Sequence, residues 1–216
     1  MSRAVFVTGG TGYMGRRLIP VLLKRGHTVR AIARGSSVSR VPTGATALVG
    51  DALDADAVAA MLSPHDTVVH LIGTPHPNPS KAQQFIDVDL ASARAIATAA
   101  KRAGVQHLVY VSVAHPAPVM RDYIAARVAG EAAVRESGIA ATVLRPWYVL
   151  GPGHWWPLVL VPLYALGSAV PSLRDGARRL GLVTLNDMVR ALAGAVDSPP
   201  ASGTVRVVDV PGIRSA

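Results

Sequence analysis

The sequence predicts an α/β fold, a doubly wound parallel sheet with a small C-terminal cap. Three observations predict it. Short apolar runs alternate with helical patterns as far as residue 146, a glycine-rich turn directly follows the first run, and 50% of the 216 residues are hydrophobic against 16% charged. That alternation is the pattern of parallel α/β architecture, and the chain is long enough to bury one full core. The composition excludes a disordered chain. The lack of cysteine excludes a disulfide scaffold, thiolate zinc sites and a cysteine nucleophile. Lys plus Arg number 22 against 13 Asp plus Glu, a formal charge of +9, and only Lys24, Lys81 and Lys101 are lysines. Such an excess points to nucleic acid, an anionic membrane surface or a phosphate-bearing ligand, depending on where the arginines lie.

Residues 4–8 read as a buried strand, followed by glycines and a helix over 13–24 that Gly26 closes. Strands are expected at 28–33, 46–49 and 67–72, with a helix over 54–61 and a Pro-rich loop over 74–80. An Ala-rich helix over 83–102 ends at Gly104, then come a strand at 107–113, a helix over 120–136 stopped by Gly138, and a strand at 142–145. Six β units with intervening helices form the Rossmann pattern. Beyond Pro146 the periodicity fails until a helix at 185–196 and a strand at 204–208. The reading is one Rossmann domain over 1–216, with 147–216 as a small C-terminal substrate or cap region. The N-terminal apolar run is too short for a signal peptide, and no stretch approaches the ~20 apolar residues of a membrane span, so a cytoplasmic protein is expected.

The strongest local signal is Thr8-Gly9-Gly10-Thr11-Gly12-Tyr13-Met14-Gly15, between the first strand and the first helix. Gly9 permits a tight turn, Gly12 lets a pyrophosphate approach the backbone, and Gly15 allows close helix–strand packing. The helix N-terminus then offers amide donors and partial positive charge to the phosphates. NAD binders usually carry an acid near the end of the second strand for the ribose 2′-hydroxyl. Here that segment reads Arg30-Ala31-Ile32-Ala33-Arg34-Gly35, and the nearest acid is Asp51, after the third strand. Arg34 with Arg16 suits the clamping of a 2′-phosphate, so NADP is expected, with NAD the alternative. Asp51-Ala52 fits an adenine contact, and a strand-end cap is the competing reading for Asp51.

With Tyr110-Val111-Ser112 at the end of the fifth strand and Tyr123-Ile124-Ala125-Ala126-Arg127 on the next helix, the chain resembles the short-chain dehydrogenase/reductase superfamily in its atypical and extended branches. The likeness covers about residues 4–153 and includes Arg145-Pro146-Trp147-Tyr148-Val149-Leu150-Gly151-Pro152-Gly153. It is nearest to small NAD(P)H-binding proteins of the nitrogen-regulator-like group and to a respiratory complex I accessory subunit. The resemblance implies Tyr123 as proton donor or acceptor, Ser112 orienting the substrate oxygen, and residue 127 on the nicotinamide ribose. It also places Ile72-Gly73-Thr74, Val111, Pro146 and Trp147 along the cofactor. The family normally has lysine at position 127, whereas this chain has Arg127. Arginine keeps the positive charge but is planar, longer and unable to lose its proton.

The seven histidines show no metal-ligand spacing, and no metal is expected. His115 and His154 fall where a substrate pocket would be lined, while Asp87 and Asp89 read most simply as charges near a helix start. The segment 154–164 reads as the roof of an apolar pocket, with membrane contact beside Arg174, Arg178 and Arg179 as the other reading. The arginines are scattered rather than striped and no nucleic-acid motif is present, so no nucleic-acid partner is expected. The partner expected is a small-molecule substrate, on a monomer or homodimer. Together these readings suggest hydride transfer between a nicotinamide and a carbonyl or alcohol carbon. The rival reading is a non-catalytic NADP(H)-binding redox sensor or assembly protein.

Overall fold

Strand β1 (Ala4–Thr8) is buried at every residue but its first, as a central parallel strand must be. In the computed structural model, which describes residues 2–155, 158–159 and 174–216, β1 pairs in parallel with β2 (Thr28–Ala33) on one side. β2 in turn carries the edge strand β3 (Thr46–Val49). On its other side β1 pairs with β4 (Asp66–His70), followed outward by β5 (His107–Val111) and β6 (Ala140–Leu144). Two three-residue strands, β7 (Tyr148–Leu150) and β8 (Leu182–Thr184), form a separate parallel pair. The main sheet then closes with β9 (Val205–Val208) on β6, giving the order β3-β2-β1-β4-β5-β6-β9. Strand order reverses between β1 and β4, so a crevice opens there at the carboxyl ends, where open α/β sheets bind ligands.

The helices cover both faces. α1 (Gly15–Lys24) buries Gly15, Leu18, Ile19 and Leu22, a spacing of three and four residues that makes one apolar stripe, and Gly26 at φ +83° follows it. α2 (Ala55–Met61) starts at Asp54, whose carboxylate accepts from the amides of Asp56 and Ala57. The Ala-rich segment is three pieces in series: the turn α3 (Ala82–Gln84), a π-helical stretch Phe85–Leu90, and α4 (Ala91–Arg102). α5 (Arg121–Glu136) follows β5. Near the C-terminus come α6 (Arg174–Arg179), α7 (Leu185–Asp197) and α8 (Val210–Arg214). Thr184 and Asp187 form a reciprocal capping box that starts α7. One core cluster packs α1 and α7 residues such as Leu18, Leu22, Met188 and Leu192 on the sheet; the other packs Val58, Ile96 and Val134 from α2, α4 and α5.

This arrangement narrows the expected C-terminal cap. α7 lies beside α1, α8 packs on α7 and β9 completes the sheet, so these C-terminal elements belong to the Rossmann body, and Val183 of β8 is buried in the same core cluster. The physical reason is β6: it is fully buried, so its outer edge must be covered, and β9 supplies the missing ladder. The proposed roof or membrane segment at 154–164 falls largely outside the described residues. Among the described residues, no helix is long and apolar enough to cross a membrane.

Two sheet histidines are sealed in the interior. His70 has its ring nitrogens on the Thr8 and Ser92 hydroxyls at 2.8 and 3.2 Å, and its ring stacks on Tyr110. Ser92 Oγ donates to the Asp89 carbonyl, so it accepts from His70 Nε2–H, and Thr8 donates to Nδ1. Burial, reinforced by the Arg127 charge, pushes His70 down to about 3; burial, with Arg206 and Arg3, pushes His107 down to about 4. Below about pH 6.5 the unfolded chain therefore takes up protons that the native state refuses. We expect stability to fall on acidification from about pH 6.5 towards pH 4, by about 1 kcal/mol per pH unit for each histidine. Urea denaturation across that range checks this, and His70→Gln should remove about half of the slope.

Candidate dinucleotide site

The turn between β1 and α1 is shaped by its glycines. Gly9 has φ +73°, and a Cβ there would press on the Leu71 carbonyl carbon at 2.9 Å. A Cβ at Gly15 would collide with Gly9 O and the Gly10 backbone, so the first residue of α1 must be glycine for helix and turn to meet. Gly12 differs: it is exposed, and an added Cβ would approach only Gly9 O, at 3.1 Å. Among the described residues no side chain caps α1, and its first turn holds no acid, so the positive end of the helix dipole is left uncompensated over the turn. A glycine-rich turn under a helix N-terminus with no capping side chain fits the pyrophosphate of a dinucleotide.

Arg34 follows β2 directly, in extended conformation, and opens a 3₁₀ turn Gly35–Arg40, with Ser37 Oγ donating to the Arg34 carbonyl. The Arg34 and Arg16 side chains are both exposed, the first at the end of β2 and the second on the first turn of α1. Ala52 is buried next to the end of β3, whereas Asp51 uses its carboxylate to accept from the Leu53 amide, the strand-end turn. Tyr13, in the glycine turn, packs edge-on against His154 at 4.7 Å, with Arg17 over its other side. Burial raises the Tyr13 phenol against the smaller opposing effect of Arg17.

At the ends of β4 and β5 the floor of the crevice is polar but closed. Arg127 is 6% exposed and donates through one amino group to the Ile72 and Val111 carbonyls at 3.3 and 3.0 Å. Its other amino group pairs with Asp89 Oδ1 at 2.8 Å. Asp89 is fully buried in the π-helical stretch and accepts from the Thr74 amide and hydroxyl at 2.9 and 2.6 Å. Gly73 lies so close to Arg127 that any Cβ there would strike the guanidinium. The side chain expected on the ribose is thus spent on two backbone carbonyls and a carboxylate, while Ile72, Gly73, Thr74 and Val111 surround it. A buried acid on a π-helical stretch, an irregularity frequent at functional sites, replaces the helix-start charge expected at Asp89. Asp87 has that ordinary surface setting, accepting from Gln83.

Tyr123, Arg127 and Glu131 form one stripe on α5 at intervals of four residues. Tyr123 is half-buried, edge-on to Phe85 at 5.1 Å, with the Arg127 guanidinium 5.4 Å from its ring centre. Ser112, just after β5, is buried with its hydroxyl near the Glu131 carboxylate. Glu131 takes a bidentate pair from Arg145, with Nε at 2.9 Å, and His115 Nε2 lies 3.5 Å away. Burial opposes its charge, but Arg145, Ser112 and His115 outweigh that and hold the carboxyl below its usual range. Glu131 was missed from the sequence, although its place four residues after Arg127 was the available signal. Pro146 is buried and Trp147 half-buried just after β6. His154 stacks on His76 at 4.9 Å. Among the described residues no group of three or more His, Asp or Glu side chains is placed to hold a metal.

Glycine cradle, helix N-terminus and topological switch point together define a dinucleotide-binding Rossmann protein. A family described as NAD(P)H-binding matches residues 9–151, and the chain belongs to that family. Among curated relatives, a ceramide reductase of Caulobacter vibrioides is 28% identical over 208 residues, covering 95% of this chain and 64% of its own. A 3 beta-hydroxysteroid dehydrogenase/Delta 5-->4-isomerase of Mycobacterium tuberculosis is 36% identical, over 50% of this chain and 31% of its own. A 3-diazoavenalumate denitrifying reductase of Streptomyces sp is 30% identical, over 95% and 75%. The chain therefore spans between about a third and three quarters of these relatives' lengths. The solved structure of MoeE5 with UDP-glucose and NAD shares the fold at TM-score 0.69 and 22% identity, over 98% of this chain and 80% of that one. WbmH of Bordetella bronchiseptica with NAD+ does so at 0.68 and 23%, over 92% and 73%. These neighbours show that the fold is shared.

Two predictions follow from the geometry. Gly12→Ala should leave the melting temperature within a few degrees yet weaken dinucleotide binding about tenfold, whereas Gly15→Ala should destabilise the fold by about 2 kcal/mol or more. Calorimetric titration and thermal unfolding of the two variants separate these outcomes. Asp89→Asn leaves the Arg127 charge buried without its carboxylate and should cost about 3–5 kcal/mol in denaturant titration.

Proposed function

We propose that the chain is an NADP-dependent oxidoreductase that moves hydride between a nicotinamide and the carbonyl or alcohol carbon of a small, apolar substrate. The observation that carries this reading is Tyr123, a half-buried phenol one helical turn from the fixed charge of Arg127, at the ends of the strands that border the glycine cradle. A bound dinucleotide supplies the hydride acceptor or donor. Tyr123 gives a proton to the substrate oxygen in reduction and takes it back in oxidation. Arg127 cannot relay that proton, because it keeps its own; it fixes the Ile72 and Val111 carbonyls and places a permanent cation beside the phenol. Arg34 and Arg16 favour a 2′-phosphate, since two exposed guanidiniums suit it and Asp51 is occupied by its own turn. Relatives bearing reductase and dehydrogenase names fit the same chemistry.

One observation favours a second reading, a non-catalytic NADP(H)-binding sensor: Arg127 is committed to Asp89 and the backbone, which leaves the ribose without the usual cation. A single set of measurements separates the two. Under the enzyme reading, Tyr123→Phe lowers kcat on a panel of carbonyl compounds by about a hundredfold or more while dinucleotide affinity, read by tryptophan fluorescence, stays within about twofold. Arg34→Gln weakens NADPH about tenfold and leaves NADH unchanged. Tight NADPH binding with no turnover on any carbonyl establishes the sensor; wild-type preference for NADH overturns the assignment of Arg34 and Arg16.

A further inference from the structure

Three aromatic rings from three segments meet in series at the carboxyl ends of the central strands. Tyr13 comes from the glycine turn after β1, His154 from the turn after β7, and His76 from the Pro-rich loop after β4. His154 lies edge-on to Tyr13 at 4.7 Å and stacks on His76 at 4.9 Å, with the two imidazole planes 18° apart. The crevice opens between β1 and β4, so the ladder Tyr13–His154–His76 ties one of its walls to the other.

One end of the ladder is fixed and the other is strained. The Tyr13 hydroxyl is buried against Gly151, where an added Cβ would stand 2.3 Å from it. His154 belongs to the same turn, its amide donating to the Gly151 carbonyl at 2.8 Å. His76 has φ +47°, in the left-handed region that a non-glycine residue keeps only where its surroundings hold it. Its carbonyl accepts from Lys81 Nζ at 3.1 Å and from Asn78 Nδ2 at 3.4 Å, and Lys81 Nζ also donates to the Pro75 carbonyl at 2.6 Å. The histidines paired with carboxylates are His27 and His115, so among the described residues a proton on His76 or His154 gains no counter-ion. The charged groups next to the ladder are both cations, Lys81 on the His76 carbonyl and Arg17 over the Tyr13 ring. Burial lowers His154 from its usual range, and the His76 charge lowers it further. One charged ring still stacks on a neutral one, but two imidazoliums at this spacing repel.

We propose that the His76–His154 stack is a proton-operated clasp on the dinucleotide crevice, closed while at most one ring is charged and parted when both are. Parting releases the strained 75–80 loop from the turn after β7, separates the two walls and lets the dinucleotide leave. Acidification below about pH 6.5 therefore speeds release. The clasp rests on the crevice holding a dinucleotide and is independent of hydride transfer.

The test is stopped-flow displacement of NADPH, and separately of NADH, from the full chain by excess oxidised dinucleotide, followed by the nicotinamide emission. Between about pH 7.5 and about pH 5.5 the release rate should rise about fivefold or more for both. NADH is included because it lacks the 2′-phosphate, which itself titrates near about pH 6. The double substitution His76→Phe with His154→Phe keeps two rings but no ring proton and should hold release at its neutral-pH rate throughout. His76→Gly removes both ring and strain and should release fast at every pH. In the dinucleotide-free chain, His76→Phe should raise the His154 titration midpoint, read by imidazole NMR, because the neighbouring charge is gone. Release that stays flat or slows in acid overturns the proposal, slowing because the charged rings then grip the phosphates. So does a pH dependence that survives the double substitution or is confined to NADPH, or a His154 midpoint indifferent to His76→Phe. Failure of both dinucleotides to bind at any pH is a separate result: it overturns the dinucleotide reading of the crevice, and the clasp with it, while the His154 midpoint still reports the ring contact.

Discussion

Arg127 and Asp89 meet at 2.8 Å in the interior, and the crevice is organised around that pair. A guanidinium and a carboxylate taken out of water must be fully engaged to be tolerated, and here most of the polar atoms are. Asp89 holds Thr74 by both amide and hydroxyl, which fixes the chain where it leaves β4. Arg127 holds the carbonyls at the ends of β4 and β5, which fixes the spacing of those strands where the sheet opens. Asp89 reaches the pair from a π-helical turn, a local irregularity that an unbroken α-helix would not supply. Pairs of this kind seldom add net stability, but removing one partner leaves a stranded charge, so the geometry they set is rigid.

From that node a polar line crosses the sheet. Ser92 bonds the Asp89 carbonyl and His70, His70 bonds Thr8, and Thr8 ends the strand that enters the glycine turn. A neutral imidazole with one donor and one acceptor is the only form that satisfies both hydroxyls, and burial keeps it in that form. The two walls of the switch point, β1 and β4, are thereby tied by side chains as well as by their ladder. Tyr110 closes the same layer from β5, with its hydroxyl against the Arg127 carbonyl, and only glycine fits opposite it at position 130. The cradle above is preorganised because its supports are buried and most of their polar atoms are paired.

Much of this was legible before the structure. The run Thr8–Gly15 has one backbone solution, and the position of the strand and helix around it follows from pattern alone. The first six strands fall within a few residues of expectation for the same reason: parallel strands buried on both faces read as continuous apolar runs. Other features carry no such signal. β7 and β8 are three residues each, below the length at which a period shows, and their pairing joins positions more than thirty residues apart. Residues 204–208 read as a strand, but nothing local tells which edge it joins. The roles of Asp89 and Glu131 depend on which buried arginine each meets. Glu131 shares the four-residue spacing of Tyr123 and Arg127, but its partner, Arg145, comes from the residue after β6 and leaves no local signal.

The charge excess of +9 takes a different meaning once the pairs are placed. Asp56, Asp66, Asp89, Glu131, Asp187 and Asp197 are each engaged by an arginine. Roughly half of the 13 acids are thus locked into pairs within the fold and contribute little field outside it. The other basic residues are scattered along the chain. Arg16 lies on the first turn of α1 and Arg34 at the end of β2, both at the carboxyl edge. A basic protein of this kind needs no polyanionic partner to account for its composition. The arginine at position 127 serves the interior, where one amino group reaches two carbonyls and the other a carboxylate.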